Sequence, residues 1–225
     1  MRILIHACPA RLWFVEEFLL PELRRQGLDA DVWTDREGRG NLAACMACFA
    51  AMEGDGGAWH IQDDVLPCSD FVTRARAFDS GVAYGFCCEY FTDDPDLAGP
   101  MYAEDAWHSF QCVRIPHAWA RDCAAWFYSG AWRMLADPQL DVLWPDNKGD
   151  DAFFRAWLLA EHGDCTVVNL KPNLVEHVDW LIGGSVLSRN GSVCSFENGE
   201  LVTAGGRVLG ISCVRDNLSE AVKAS

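Results

Sequence analysis

The chain is expected to form a single α/β domain on a mainly parallel, Rossmann-like sheet flanked by helices, with short β-hairpins at its C-terminal end. Three observations lead there. Its 225 residues, half of them hydrophobic and ten of them tryptophan, can fill a core without metal or disulfide staples. Short apolar runs of strand length alternate with segments of helical period over most of the chain, the signature of helices covering a parallel sheet. Asn190-Gly191 and Asn198-Gly199 are hairpin signals, which places short antiparallel strands within 192–214.

Taken in order, residues 2–7 are an apolar run that reads as a first, buried strand. Pro9 introduces a helical pattern to about residue 26, stopped by Gly27 and kinked or divided by Pro21. Residues 31–34 read as a second strand, followed by the polar loop Asp35-Arg36-Glu37-Gly38-Arg39-Gly40. Asn41 is expected to cap a helix to about Met52, because Leu42, Cys45, Met46 and Phe49 fall at helical spacing. After the glycine-rich turn at 54–57 comes the stretch Ala58-Trp59-His60-Ile61-Gln62-Asp63-Asp64-Val65-Leu66-Pro67, a strand that runs into two adjacent carboxylates.

Ser69 is expected to cap a helix over 70–78, and residues 82–88 to form the next strand. Residues 92–107, acidic and proline-bearing, read as a long loop. Residues 109–115 resume as a strand, and Pro116 starts an aromatic-rich helix to about 135. Gly149-Asp150-Asp151 opens a further helix carrying Phe153, Phe154, Trp157 and Leu158, and residues 165–170 form the last clear core strand.

The balance of 18 basic against 33 acidic residues, a formal net charge of −15, opposes nonspecific attraction to nucleic acid or anionic membranes. No run of eighteen apolar residues exists, and the N-terminus carries no signal-peptide pattern. A cytoplasmic protein with no membrane partner is expected. The eleven cysteines lie mostly in apolar stretches, where free cysteine packs as a small hydrophobe; Cys45 and Cys48 are read as packing too.

Ligands of an open α/β sheet bind at the carboxyl ends of its strands, so Asp63, Asp64, Asp35, Arg36 and His177 should converge if their strands are parallel. Adjacent carboxylates at such an end suit Mg²⁺ or Mn²⁺ bound together with the phosphates of a substrate; solvated turn residues are the other reading. His177 is either a structural histidine or an imidazole completing a metal shell. Asp150 and Asp151 either cap their helix or act as a general base kept ionised by its dipole.

Gln62-Asp63-Asp64-Val65-Leu66-Pro67, the later Gly149-Asp150-Asp151, and Pro172-Asn173-Leu174-Val175-Glu176-His177-Val178 with Gly183-Gly184-Ser185 resemble small glycosyltransferases of the GT-A fold, especially the short forms of bacteriophages and actinobacteria. The resemblance spans roughly residues 1–190. It implies a GT-A-like fold with a nucleotide-sugar and metal half over 1–90, an acceptor half over 108–190, and C-terminal hairpins and tail over 191–225. The implied donor is a nucleotide sugar, expected to be a UDP-sugar, with Mn²⁺ or Mg²⁺ bridging its diphosphate.

By position, Asp64 would bind the metal, Asp63 would contact ribose or metal, and His177 would be the second protein ligand. Asp35 and Arg36 would lie near the nucleotide, and Gln62, on the donor's ribose side, stands where the family more often has an acid. Asp151 or Asp150 would be the base of an inverting enzyme. For such forms the acceptor is a hydroxymethylated pyrimidine in phage DNA, which would put the protein in the host cytoplasm, or a saccharide or protein hydroxyl. A DNA acceptor calls for a cationic track, for which Arg114, Lys148, Lys171, Arg189 and Arg207 are the candidates. Rival classes are a metal-dependent nucleotidyltransferase or phosphohydrolase, although Cys8-Pro9-Ala10-Arg11 is not a glycine-rich phosphate loop, and a carbohydrate-binding protein. Oligomeric state is not legible.

Overall fold

The computed structural model describes residues 1–78, 82–84, 99–102, 110–134, 149–163, 166–169, 174–178, 182, 195–197, 200–202 and 208–209. Within them lies a mixed α/β fold with a mostly parallel sheet flanked by helices. The strands are β1 (Arg2–Ala7), β2 (Asp31–Thr34), β3 (Gly57–Gln62), β4 (Val65–Pro67), β5 (Ala83–Tyr84), β6 (Gly99–Tyr102), β7 (Cys112–Pro116), β8 (Thr166–Asn169), β9 (Val175–His177), β10 (Ser195–Glu197), β11 (Glu200–Val202) and β12 (Val208–Leu209). The main sheet has the order β2-β1-β3-β7-β5-β8-β6. β2, β1 and β3 run parallel, as do β5 and β8, while β7 and β6 are antiparallel to their neighbours.

The antiparallel strands depart from expectation because an apolar run reports burial and not direction. β6 lies inside the stretch read as a long loop; it begins Gly99-Pro100, yet sits at the sheet edge, where a missing backbone N–H is tolerated. Of the strand read over 82–88, the described part is β5, and the remainder lies outside the described residues. β10, β11 and β12 form a separate antiparallel sheet, with Glu197 opposite Glu200 across the Asn198-Gly199 signal. The Asn190-Gly191 signal lies outside the described residues.

The pleat sorts the core. Ile3, Ile5, Ala7, Trp59 and Ile61 bury one sheet face against Val15, Leu19, Leu23 and Phe71. Leu4, Val113 and Ile115 face the other way, against Leu42, Met46 and Phe49 of α3 (Asn41–Ala50), Ala120 and Cys123 of α5 (His117–Ser129), and Phe153, Phe154 and Trp157 of α6 (Asp150–His162). His6 and His60 share that second face by register, since Leu4 lies opposite His60 and His6 opposite Gln62.

The N-terminal helical run is divided, as Pro21 requires. A 3-10 turn (Pro9–Arg11) leads through α1 (Leu12–Phe14) into a π turn (Val15–Leu19) and then α2 (Leu20–Arg25), which has Pro21 in its first turn. Gly27 closes it at φ 78°. Two caps differ from expectation. Gly40, at φ 84°, is the N-cap of α3, because Asn41 already lies in the helix and its side chain is used elsewhere. α4 is only Phe71–Ala75, with Asp70 and not Ser69 at the N-cap position and no capping side-chain hydrogen bond. No helix among the described residues is long and apolar enough to cross a membrane.

Candidate functional site

β1, β2 and β3 end together, with Ala7 opposite Thr34 and His6 opposite Gln62. Each chain end therefore delivers its next residues to one edge: Cys8 to Arg11, Asp35, and Asp63 with Asp64. Asp63 and Asp64 form the tight turn between β3 and β4, and they are 5% and 8% exposed. Two carboxylates so placed repel each other unless a cation joins them.

Arg11 is that cation. Its Nη1 donates to Asp63 Oδ1 at 2.8 Å and to Asp64 Oδ2 at 2.5 Å. Asp63 Oδ2 accepts the backbone N–H of Cys8 at 2.6 Å, which staples the β1 loop to the end of β3. Burial pushes Asp63 above the usual carboxylate range, aided by Asp64, while Arg11 and the Cys8 N–H pull it back without cancelling the rise. Burial also works against the Arg11 cation, but Asp64 and Asp63 outweigh it and hold the guanidinium above its ordinary value. Sequence reasoning missed Arg11; its place just past the carboxyl end of β1, the same edge as Asp63, was the available signal.

β4 pairs with β9 so that Val65 lies opposite His177, and the N–H of Val178 donates to the Asp64 carbonyl at 2.8 Å. His177 is thus brought, across more than a hundred residues of chain, to the backbone position beside Asp64. Cys68 N–H to Leu174 O, at 2.8 Å, continues the same ladder.

Asp150 and Asp151 open α6 at this edge, on opposite sides of the surface. Asp150 is 4% exposed and accepts Asn41 Nδ2 on Oδ1 and Gln62 Nε2 on Oδ2, each at 2.9 Å. Gln62, expected near the ribose, is engaged here in tying β3 to α6. Burial, reinforced by Asp151, raises Asp150 to about 7 against the pull of the Asn41 hydrogen bond. Asp151 is half-buried, and its Oδ1 accepts the Ala152 N–H at 2.8 Å. A Cβ on Gly149 would meet that same oxygen at 2.8 Å, so a bare Cα there makes room for the carboxylate. Of the two acids, Asp151 is the less buried.

Asp35 is buried and bound to its own loop: Arg39 Nη1 reaches Oδ1 at 2.9 Å and the Arg39 N–H reaches Oδ2 at 2.7 Å. Arg36 is exposed. Behind the edge, His6, Cys45 and His60 place one donor atom each within 4.8 Å of one another, packed among Trp33, Phe49 and Phe110. Burial lowers His6 to about 4, against the pull of Asp35 and Asp64, and burial with the neighbouring His6 holds His60 well below its ordinary value. Burial lifts the Cys45 thiol well above its ordinary value, with Asp150 adding to the effect.

The donor set at Asp63 and Asp64 fits a hard divalent cation: oxygen ligands only, adjacent, and already gathered about a positive charge. Fold and site together define a mixed α/β protein with an acidic, cation-holding edge at the carboxyl ends of parallel strands. No family model matches the chain, and no curated protein does. Among solved structures, the chain is similar to A197 from STIV, at 12% identity and a TM-score of 0.43 over 93% of both chains. It is also similar to the inositol-1-phosphate CTP transferase from T. maritima, at 9% identity and a TM-score of 0.34, over 75% of this chain and 64% of that one. Neither carries a function over to this chain.

Proposed function

We propose that the protein is a metal-dependent glycosyltransferase that moves a sugar from a nucleotide-sugar donor, a UDP-sugar, to a hydroxyl acceptor. The observation that carries this reading is the Asp63–Asp64 pair at the carboxyl end of β3, sharing one cation, with the backbone of His177 in register beside it and the N-terminus of α6 on the same edge. Asp64, with His177 as second protein ligand, would hold Mn²⁺ or Mg²⁺, and the ion would supply Lewis-acid stabilisation of a departing diphosphate. Asp63 contacts the ribose or the metal, and its other oxygen ties the β1 loop to the end of β3 through the Cys8 N–H. Asp151, in the first turn of α6, takes the proton of the acceptor hydroxyl. Asp150 is too enclosed for that role and orients the start of α6.

The acceptor hydroxyl belongs either to a hydroxymethylated pyrimidine in DNA or to a saccharide or protein. Arg114 drops out of the cationic track proposed for DNA, because it is 6% exposed and lies against Gly57 of β3. Lys148, Lys171, Arg189 and Arg207 lie outside the described residues. The reading is tested by thermal shift with a panel of nucleotides and nucleotide sugars, each with and without Mn²⁺. A ligand at a hundred times its dissociation constant stabilises the folded chain by about 2.7 kcal/mol. A Mn²⁺-dependent shift with one donor, lost in Asp64→Ala, is expected, and that donor is then offered hydroxymethylated DNA and free glycans. No shift with any nucleotide, together with binding of glycans, would replace the transferase by a carbohydrate-binding protein.

A further inference from the structure

Arg11 contacts the acidic pair in an unusual manner. A guanidinium normally meets a carboxylate with two parallel N–H bonds from different nitrogens, the geometry in which its planar fork gains most. Here a single nitrogen, Nη1, bridges one oxygen of Asp63 and one of Asp64, at 2.8 and 2.5 Å. One point of positive charge between two carboxylates is the arrangement a divalent ion adopts, so Arg11 and a metal ion compete for the same place. The side chain is 15% exposed, at the end of a three-residue 3-10 turn. The backbone beneath it is anchored separately, through Cys8 N–H to Asp63 Oδ2. The loop therefore has an anchor that does not depend on the guanidinium.

Building on the transferase reading, we propose that Arg11 is a built-in counter-cation that exchanges for the metal ion when a nucleoside diphosphate arrives, and that the displaced guanidinium then binds the diphosphate. The exchange leaves the carboxylates with a cation at each step. Before binding, the two buried carboxylates share the single charge of Arg11. Afterwards the carboxylates hold the metal, and the diphosphate oxygens take the donors that Arg11 releases. Metal alone must displace an intramolecular cation and binds weakly; metal with a diphosphate does not leave Arg11 unpaired. Donor and metal thus bind cooperatively, and the acidic pair is not left bare between turnovers.

The test uses the full chain and two probes, Mn²⁺ alone and UDP with Mn²⁺, read by electron paramagnetic resonance of free Mn²⁺ and by calorimetry. Arg11→Gln is expected to bind Mn²⁺ alone at least about tenfold more tightly than the wild type, because the competing cation has been removed. The same variant is expected to bind UDP with Mn²⁺ about tenfold or more weakly, while uridine affinity is unchanged. Arg11→Lys, which keeps a cation and guards against a folding defect in the glutamine variant, should fall between the two. Opposite shifts for the two probes are not expected of a merely structural ion pair. Equal Mn²⁺ affinity in wild type and both variants overturns the exchange and leaves the metal site standing. Mn²⁺ binding that is absent throughout, or unaffected by Asp64→Ala, overturns the site and the exchange with it.

Discussion

Gln62 Nε2 donates a 2.9 Å hydrogen bond to Oδ2 of Asp150, 88 residues further along the chain. With Asn41 on the other oxygen, this bond joins the end of β3, the start of α3 and the start of α6 at one buried carboxylate. The position of Asp151, the next residue, is set by that junction.

Swapping the two partners tests the junction. Gln62→Glu alone sets a carboxylate against a carboxylate, and Asp150→Asn alone can turn an amide N–H₂ towards another. Each single change is expected to cost about 1–3 kcal/mol, the range for leaving a buried polar group unsatisfied. The double variant restores a donor facing an acceptor and should recover most of the loss in urea denaturation. Additive losses would remove the hydrogen bond from the account.

Stability should depend on pH through Asp150. Burial raises it from 3.8 to about 7, so over that interval the folded chain keeps a proton that the unfolded chain has released. The contribution of this group to stability therefore falls as pH rises from about 4 to about 7. His6, lowered from 6.5 to about 4, acts in the opposite sense over nearly the same interval, losing stability as pH falls. Asp150→Asn removes only the first slope. Its melting-temperature penalty is expected to be larger at pH 5 than at pH 8, and an equal penalty at both would mean Asp150 is ionised throughout.

Asp63 and Asp64 should separate by what they hold. Asp63→Ala frees the Cys8 N–H as well as Arg11, so it is expected to lower stability without ligand by about 1–3 kcal/mol. Asp64→Ala should chiefly abolish the Mn²⁺-dependent thermal shift and the transfer activity. Thermal melts with and without Mn²⁺ read both effects at once.

Asp151→Ala should reduce turnover by about 10²–10⁴-fold, the usual contribution of a positioned general base, with donor affinity little changed. Donor affinity measured by calorimetry beside turnover decides the matter: a parallel loss of both would make Asp151 a helix cap.

Elements whose signal is local were legible before the fold. β1 and β3 are apolar runs, Gly27 ends the first helical stretch, Pro21 divides it, and Asp63 and Asp64 follow the end of a strand. Burial and backbone conformation are written in residue type and spacing, so such features can be read without the fold. Tertiary structure decided what depends on which distant residues meet. β7 and β6 run antiparallel, Asn41 spends its amide on Asp150 and leaves the cap to Gly40, and Arg11 occupies the place between the two carboxylates. A side chain's hydrogen-bond partner is chosen by three-dimensional proximity and by the cost of burying charge unpaired, and neither leaves a periodic trace in sequence.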